Sequence, residues 1–255
     1  FLLYGTASEG FRPGMAQAAI PELLCSADLQ ALGISNTPRQ LNSDKLWNYE
    51  VGFKSSTADR KAQLNVAAYQ IDWSHIQQSV FLPCGYRVFV NGPDVRNRGI
   101  EAEVNLYPVT GLSLGGTISY IDSQFQSELL GIAGTKGKPV PDTPKWTLSA
   151  YADYTMALSG GWDGSLRIDY SHTDGSISSY TSGGDFTFDK GSLDLVDLRL
   201  GLKREHYQFA LFVRNLLNDV ERTALSDSLS ANIPYRLRYS VNRPRTFGMN
   251  ITFTY

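Results

Sequence analysis

Long hydrophobic runs are missing from this chain of 255 residues, and no stretch approaches the roughly 20 apolar residues that a membrane-spanning helix needs. A helical membrane protein is therefore excluded. Charged residues make up only 19% of the chain and form no basic stripe, and the formal net charge is −2. Nucleic acid would gain little electrostatic attraction from such a surface, so we expect no nucleic-acid partner.

Catalytic, phosphate-binding and metal-binding motifs are also missing. The sequence has no G-x-S-x-G and no G-x-x-x-x-G-K-[ST]. His75, His172 and His206 are the only histidines, and they lack the i, i+4 helical spacing of paired metal ligands. We therefore expect no catalytic residue, no metal ligand, no cofactor and no enzymatic activity.

Two groups of residues keep other chemistry open. Asp169 and His172 lie close together near an expected outer loop, as a carboxylate–histidine pair of an outer-membrane protease would. A wall-facing aspartate beside a loop histidine is the simpler interpretation. Asp185, Asp189 and Asp194 lie in a segment rich in Gly, Ser and Thr that could bind calcium, but their spacing fits no EF-hand, and a solvated loop is simpler.

What the sequence does contain is period-two alternation, clearest at its C-terminal end. In a strand, successive side chains point to opposite faces, so alternation separates an apolar face from a polar one. The residues of one parity are large and apolar: Phe247, Met249, Ile251, Phe253 and Tyr255. The residues of the other parity are small or polar: Thr246, Gly248, Asn250, Thr252 and Thr254. We predict that the first set faces outward and that the second set faces inward.

The same pattern recurs upstream and predicts about ten strands of roughly 9–13 residues, which is long enough to cross a bilayer at a tilt. Clear segments lie within 47–53, 100–106, 112–120, 146–156, 166–170, 196–202 and 207–213. Phe212 is an apolar exception. Between 61 and 73 the phase slips near Tyr69, which predicts a bulge. Residues 1–8 are ambiguous.

The links between these segments alternate between long and short. Long links are expected near 9–44, 77–94, 126–143, 174–191 and 216–242, and short links near 55–60, 107–111, 157–161 and 204–206. Outer-membrane barrels have short periplasmic turns and longer outer loops, whereas a soluble sandwich has no reason to keep this order. Trp47, Trp73 and Trp146 are then expected at the outer interface and Trp162 at the periplasmic one.

The charged residues of the inward parity mix both signs, which is typical of a hydrated barrel wall. They are Glu50, Lys54, Glu101, Glu103, Asp153, Arg167, Asp169, Asp197, Arg199, Lys203 and Arg214. Parity alone does not identify ligand-binding residues among them. Cys25 and Cys84 fall in the first two long links, on the same side of the sheet, and we predict a disulfide between them because the periplasm lets disulfides form and persist.

Five segments in order resemble strands of TonB-dependent outer-membrane receptors. They are NYEVGFK (48–54), NRGIEAE (97–103), TPKWT (143–147), VRNLLND (213–219) and RPRTF (243–247). The resemblance implies an all-β, antiparallel transmembrane barrel of about 22 strands around an N-terminal plug. Residues 1–255 would be the C-terminal portion of that barrel, a fragment of about ten strands without the plug. Its final aromatics, Phe247, Phe253 and Tyr255, resemble the signal read by the barrel-assembly machinery.

The resemblance also implies the function. A receptor in the outer membrane of a Gram-negative bacterium would import a scarce ligand by energy-coupled, gated passage, with TonB acting through the missing plug. Ferric siderophores are the commonest ligands, and cobalamin, haem and oligosaccharides are alternatives that nothing in the residues separates. The remaining partners would be outer-membrane lipid and the assembly machinery. The alternative is an outer-membrane enzyme on a complete ten-strand barrel, such as a protease.

Overall fold

The computed structural model describes residues 1–178, 180, 189–226 and 238–255. Among these residues, no helix is long and apolar enough to pass through a membrane. In chain order the elements are β1 (Leu2–Arg12), α1 (Glu22–Ala31), β2 (Asp44–Ser56), β3 (Ala62–Ser74), β4 (Gln77–Phe81), β5 (Arg87–Asn91), β6 (Val95–Leu106), β7 (Leu112–Phe125), β8 (Trp146–Ala157), a 3-10 turn (Ser159–Gly161), β9 (Asp163–Thr173), β10 (Ser176–Ile177), β11 (Asp189–Lys190), β12 (Leu193–Arg204), β13 (Tyr207–Arg214), β14 (Arg222–Ser226), β15 (Arg238–Val241) and β16 (Thr246–Phe253).

Ten of these strands form one antiparallel sheet in the order β1-β2-β3-β6-β7-β8-β9-β12-β13-β16. The links at one end of this sheet are no longer than five residues, and those at the other end run from 19 to 31 residues. The predicted ten strands and the alternation of long and short links are thus confirmed. We call the end with the long links the outer end. Within the described residues, β1 and β16 each pair on one side only, so the sheet has two open edges.

One face of the sheet is apolar and exposed over most of its length. Phe247, Met249 and Ile251 of β16 are 71%, 69% and 64% exposed. Directly opposed residues of paired strands point to the same side of the sheet, as Phe53 and Val66 do. The strand pairing therefore extends this apolar face across all ten strands. No second sheet covers this apolar face in the part of the chain that the structure describes. A sandwich would bury it, whereas a barrel leaves it to lipid.

Aromatic rings on the opposite, polar face lie over glycines of the paired strand. Tyr69 opposes Gly99, and a Cβ at Gly99 would come within 2.4 Å of the Tyr69 ring. The same contact joins Tyr4 to Gly52, Tyr151 to Gly115 and Phe212 to Gly248. These contacts explain Phe212, the exception to the alternation.

The predicted bulge near Tyr69 is wrong. The register of β3 runs without a shift from Gln63 to Ser74 against β2, and it is equally continuous against β6. Tyr69 breaks the polar pattern because Gly99 leaves room for its ring, and the backbone stays regular. The ambiguous first residues form β1, which is paired along its whole length with β2.

A small folded unit, which we call the outer module, fills the first two long links. It consists of α1 and the hairpin β4–β5, neither of which the alternation predicts. The helix ends in a Schellman-type cap: the Ile34 amide bonds the Leu29 carbonyl, and Gly33 takes a positive φ of 76°. The module has a core of its own, made of Ile20, Cys25, Leu29, Leu82, Val88 and Val90.

Candidate functional site

The polar face of the sheet is the first part of the candidate site. The strand registers place all the charged residues predicted to face inward on this one face. Charge is unevenly distributed along it. The β2–β6 side carries Glu50, Glu101 and Glu103 with one cation, Lys54, whereas the β12–β13 side carries Arg199, Lys203 and Arg214 with one anion, Asp197. The wall therefore presents an acidic side and a basic side to whatever occupies the space in front of it.

Hydrogen bonds hold the acidic side in place. The Tyr4 hydroxyl donates to Glu50 Oε1 at 2.7 Å, and Glu103 accepts from Asn65 Nδ2 at 3.1 Å and from Asn105 Nδ2 at 2.9 Å. The Lys54 ammonium lies 5.4 Å from the centre of the Tyr4 ring. Each partner comes from the same or a neighbouring strand, so the carboxylates are fixed by the sheet itself.

An arginine-centred cluster lies between the two sides. Arg167 Nη2 is 2.7 Å from Asp169 Oδ1, and its Nη1 is 3.5 Å from Asp153 Oδ2 on the paired strand. The guanidinium also lies 4.8 Å from the centre of the Tyr151 ring. One cation is therefore shared between two carboxylates, and the cluster keeps a surplus of negative charge.

An ion pair between a buried carboxylate and a half-exposed arginine ties the outer ends of the first strands together. The Asp44 side chain is 2% exposed and pairs with the guanidinium of Arg12, whose Nε donates to Asp44 Oδ2 at 2.8 Å. The Gln77 amide donates to the same oxygen at 3.2 Å. Arg12 also lies 5.6 Å from the Trp73 ring centre. The outer module is therefore anchored to the rim through β1, β2 and β4.

Cys25 and Cys84 form the disulfide that the sequence predicts, with a Cα–Cα distance of 5.4 Å. The bond joins α1 to the turn of the β4–β5 hairpin, and the amide of Cys84 also donates to Asp28 of the helix at 2.8 Å. Gln17 Nε2 donates to the Phe89 carbonyl at 2.6 Å, and Gln17 Oε1 accepts from the Phe89 amide at 3.0 Å. The first two outer loops are thus joined into one packed unit at the outer end of the sheet.

A second apolar cluster lies at the outer end of β6 and β7. Val95, Phe125 and Tyr180 are buried, with Leu129, Ile132, Val140 and Ile177 packed around them. Val95 and Phe125 belong to the polar face, so the third outer loop packs over that face together with Ile177 and Tyr180 of the fourth. The Tyr180 hydroxyl donates to the Pro139 carbonyl at 2.7 Å, and burial raises the pKa of this tyrosine.

Glu128 organises the third outer loop. Its Oε2 accepts from the amides of Thr135 at 2.7 Å and Lys136 at 3.1 Å, and from the Thr135 hydroxyl at 3.1 Å. These backbone hydrogen bonds hold the pKa of the Glu128 carboxyl below its ordinary value. Thr135 is fully buried beneath the loop.

Among the residues that the structure describes, the remaining candidates do not combine into a catalytic or metal site. Asp169 belongs to the polar face, whereas His172 belongs to the apolar face of the same strand. His172 instead contacts Asp194 and Asp174, at 2.9 and 3.2 Å. Among the described residues no cluster of three His, Cys, Asp or Glu side chains could hold a metal ion. Of the calcium candidates, Asp185 lies outside the described residues, and Asp189 and Asp194 lie in β11 and β12.

The four tryptophans divide between the faces. Trp47 and Trp146 lie on the apolar face near its outer end, as predicted. Trp73, predicted at the outer interface, instead belongs to the polar face because it opposes Leu46, and it meets Arg12 there. Trp162 lies at the short-link end, 6.2 Å from Phe209. Phe247, Phe253 and Tyr255, the residues of the expected assembly signal, are exposed.

A tall antiparallel sheet with one exposed apolar face, one charged face and alternating links defines the wall of a transmembrane β-barrel. The chain belongs to the TonB dependent receptor-like β-barrel family, whose family model matches residues 1–216. This is a family of receptors and not of enzymes.

Three solved structures show the same fold. The ferric yersiniabactin uptake receptor FyuA from Yersinia pestis has 18% identity and a TM-score of 0.74, and the match covers 98% of this chain and 34% of that one. The siderophore receptor PiuA from Acinetobacter baumannii has 14% identity and a TM-score of 0.69, over 99% and 34%. The ferripyoverdine receptor of Pseudomonas aeruginosa has 16% identity and a TM-score of 0.69, over 98% and 30%. The chain therefore spans about a third of the length of these receptors.

Proposed function

We propose that this chain is the C-terminal part of the barrel of an outer-membrane receptor, and that the receptor imports a scarce ligand by energy-coupled, gated passage. Family membership is the observation that carries the proposal. The exposed apolar face suits lipid, and the charged face suits a hydrated interior occupied by a separate plug. The open edges at β1 and β16 require further strands, because unpaired backbone groups are not tolerated in lipid.

The ligand that we propose is a ferric siderophore. Solved structures with this fold include receptors for ferric yersiniabactin and ferripyoverdine. The disulfide-linked outer module and the loop residues packed over the outer ends of β6 and β7 would form the ligand-binding mouth, and TonB would supply force through the plug. The alternative of a protease on a ten-strand barrel is not favoured, since Asp169 and His172 lie on opposite faces of β9.

Uptake by intact cells tests this proposal. Cells that carry the gene for the intact protein are compared with cells from which it is deleted, using radioactive iron presented with a panel of siderophores, with haem and cobalamin as separate probes. We expect deletion to abolish uptake of at least one ferric siderophore, and inactivation of TonB in the parent cells to abolish the same uptake. Unchanged iron uptake across the panel, together with loss of haem or cobalamin uptake, would overturn the choice of ligand. Absence of the protein from outer-membrane fractions would overturn the receptor itself.

A further inference from the structure

The apolar face of the sheet changes character at the outer ends of β3, β6 and β7. Ile100 opposes Tyr120 on this face, and the Tyr120 ring lies 4.7 Å from that of Trp146. Arg98 is the next residue of β6 toward the outer end on this face, and it opposes Asp122 of β7. Arg96 follows on the same face, between Asp72 of β3 and Gln124 of β7. Two arginines therefore lie on the lipid-facing side, directly outside its aromatic border, where lipid headgroups are expected.

Both arginines are held through a single nitrogen. Arg96 Nε donates to Asp72 Oδ1 at 2.6 Å, and Arg98 Nε donates to Gln70 Oε1 at 2.9 Å. Gln70 Nε2 in turn donates to Asp72 Oδ2 at 2.7 Å and so links the two pairs. Among the described residues, the structure records no hydrogen bond from the Nη groups of either arginine. Each guanidinium is therefore fixed in place while its four remaining N–H donors stay available.

Such a pair matches a phosphate group. Alternate residues of one strand are about 6–7 Å apart, so two guanidiniums on β6 reach one phosphorylated headgroup, and the planar fork of arginine binds phosphate oxygens in pairs. The patch has no net charge, because Asp72 and Asp122 balance the two arginines. Asp72 is already occupied by Arg96 and Gln70, and Asp122 accepts from Gln124 Nε2 at 3.1 Å. The cluster therefore offers guanidinium N–H donors to a phosphate that is already close. Because it has no net charge, it attracts anions from solution only weakly.

We propose that Arg96 and Arg98 bind the phosphorylated headgroup of a lipid in the outer leaflet, whose acyl chains lie along Ile100, Ala102 and Val104 of the same face. The choice of a lipid over free phosphate follows from this continuity: the donors and the apolar band belong to one strand and one parity. The inference rests on the proposed placement in the outer membrane and adds to it a defined lipid contact.

The test uses the intact receptor, reconstituted in phosphatidylcholine nanodiscs that contain lipid A or its dephosphorylated form, with bound lipid counted by native mass spectrometry. We expect retention of lipid A to fall about tenfold for each arginine removed in R96Q/R98Q, since hydrogen bonds to charged groups contribute on that scale. The control R60Q/K61Q removes the same charge from the short β2–β3 link, at the opposite end of the sheet, and should retain lipid A fully.

Equal retention by R96Q/R98Q and the unaltered receptor overturns the proposal, and so does equal binding of dephosphorylated lipid A or displacement by millimolar inorganic phosphate. Folding is checked by heat-modifiable migration on gels. Should the double variant fail to fold, R98Q carries the test, because Arg98 is exposed and has one recorded partner. Lipid counting does not depend on transport, so a wrong ligand in the uptake assay leaves this result interpretable. Absence from the outer membrane would instead remove the setting of both proposals.

Discussion

Glycines covered by aromatic rings recur on the polar face, and each leaves the space that the ring of the paired strand occupies. Gly99 is the tightest case. A Cβ at this position would lie 2.4 Å from the Tyr69 ring and 2.7 Å from the Tyr120 carbonyl oxygen. The ring could swing aside, but the carbonyl belongs to the sheet and cannot move without disturbing β7.

Replacing Gly99 by alanine should therefore destabilise the intact barrel by about 1–3 kcal/mol, the usual cost of overpacking. Gly10→Ala is the control, since a Cβ at Gly10 meets nothing within 4 Å among the described residues. Urea midpoints of the refolded protein in detergent measure the difference. Equal midpoints for the two variants would show that the contact between Tyr69 and Gly99 is not a packing constraint.

Glu128 makes the third outer loop sensitive to acid. Its pKa is lowered by hydrogen bonds that exist only in the folded loop, so its stabilising effect is present above the ordinary glutamate value of about 4.3. The effect is lost as the pH falls through that value and below it. Amide hydrogen exchange at Thr135 and Lys136, corrected for intrinsic rates, should accelerate over this range. Glu128→Gln should show fast exchange already at neutral pH, and slow exchange there would contradict the assignment.

At the scale of the element, the strands were predictable because alternation is a physical requirement of a two-sided sheet. The same reasoning failed where tertiary contacts override the pattern. Tyr69 is apolar in a polar series only because Gly99 lies opposite, and a pairing partner is not visible within one strand. Trp73 was expected at the outer interface because it ends an outward-running strand, but its register against Leu46 puts it on the polar face, where it meets Arg12.

The outer module shows a second limit. α1 is short, and its stability depends on burial of Cys25 and Leu29 against a hairpin far along the chain. The signals were local but weak: Pro21 before the first turn and Gly33 after the last. The disulfide was predictable, because the prediction required only that both cysteines lie in long links at the same end of the sheet. It did not require the conformation of the loops.

The faces assigned to the strands predict opposite outcomes for neighbouring residues of β7. Ile118→Arg would place a charge in lipid near the middle of the strand, at a cost of about 2–4 kcal/mol. Ser119→Arg would place it on the polar face, where Ser119 opposes Glu101. In the intact protein we expect the first variant to lose heat-modifiable folding and outer-membrane yield while the second keeps both. The reverse order would invert the assignment of the faces.

At the scale of the whole molecule, the sheet has ten strands and two unpaired edges among its described residues. Each unpaired backbone group in lipid costs several kcal/mol, so the edges must find partners. Residues 1–255 expressed alone should therefore form oligomers or aggregates and no heat-modifiable monomer. Size-exclusion chromatography in detergent, with the intact protein as control, measures this. A stable monomeric barrel from these residues alone would favour the smaller, self-closing barrel.

The disulfide has a consequence for how the protein reaches its final place. Cys25 and Cys84 are separated by 59 positions, and the ring of chain that they close contains all of β2 and β3. In the proposed outer-membrane receptor, this bond would form in the periplasm and join the two loops before they cross the membrane. Without the bond, the two loops would cross the membrane separately. Assembly of the proposed barrel would therefore have to carry the two loops across the membrane as one disulfide-linked unit.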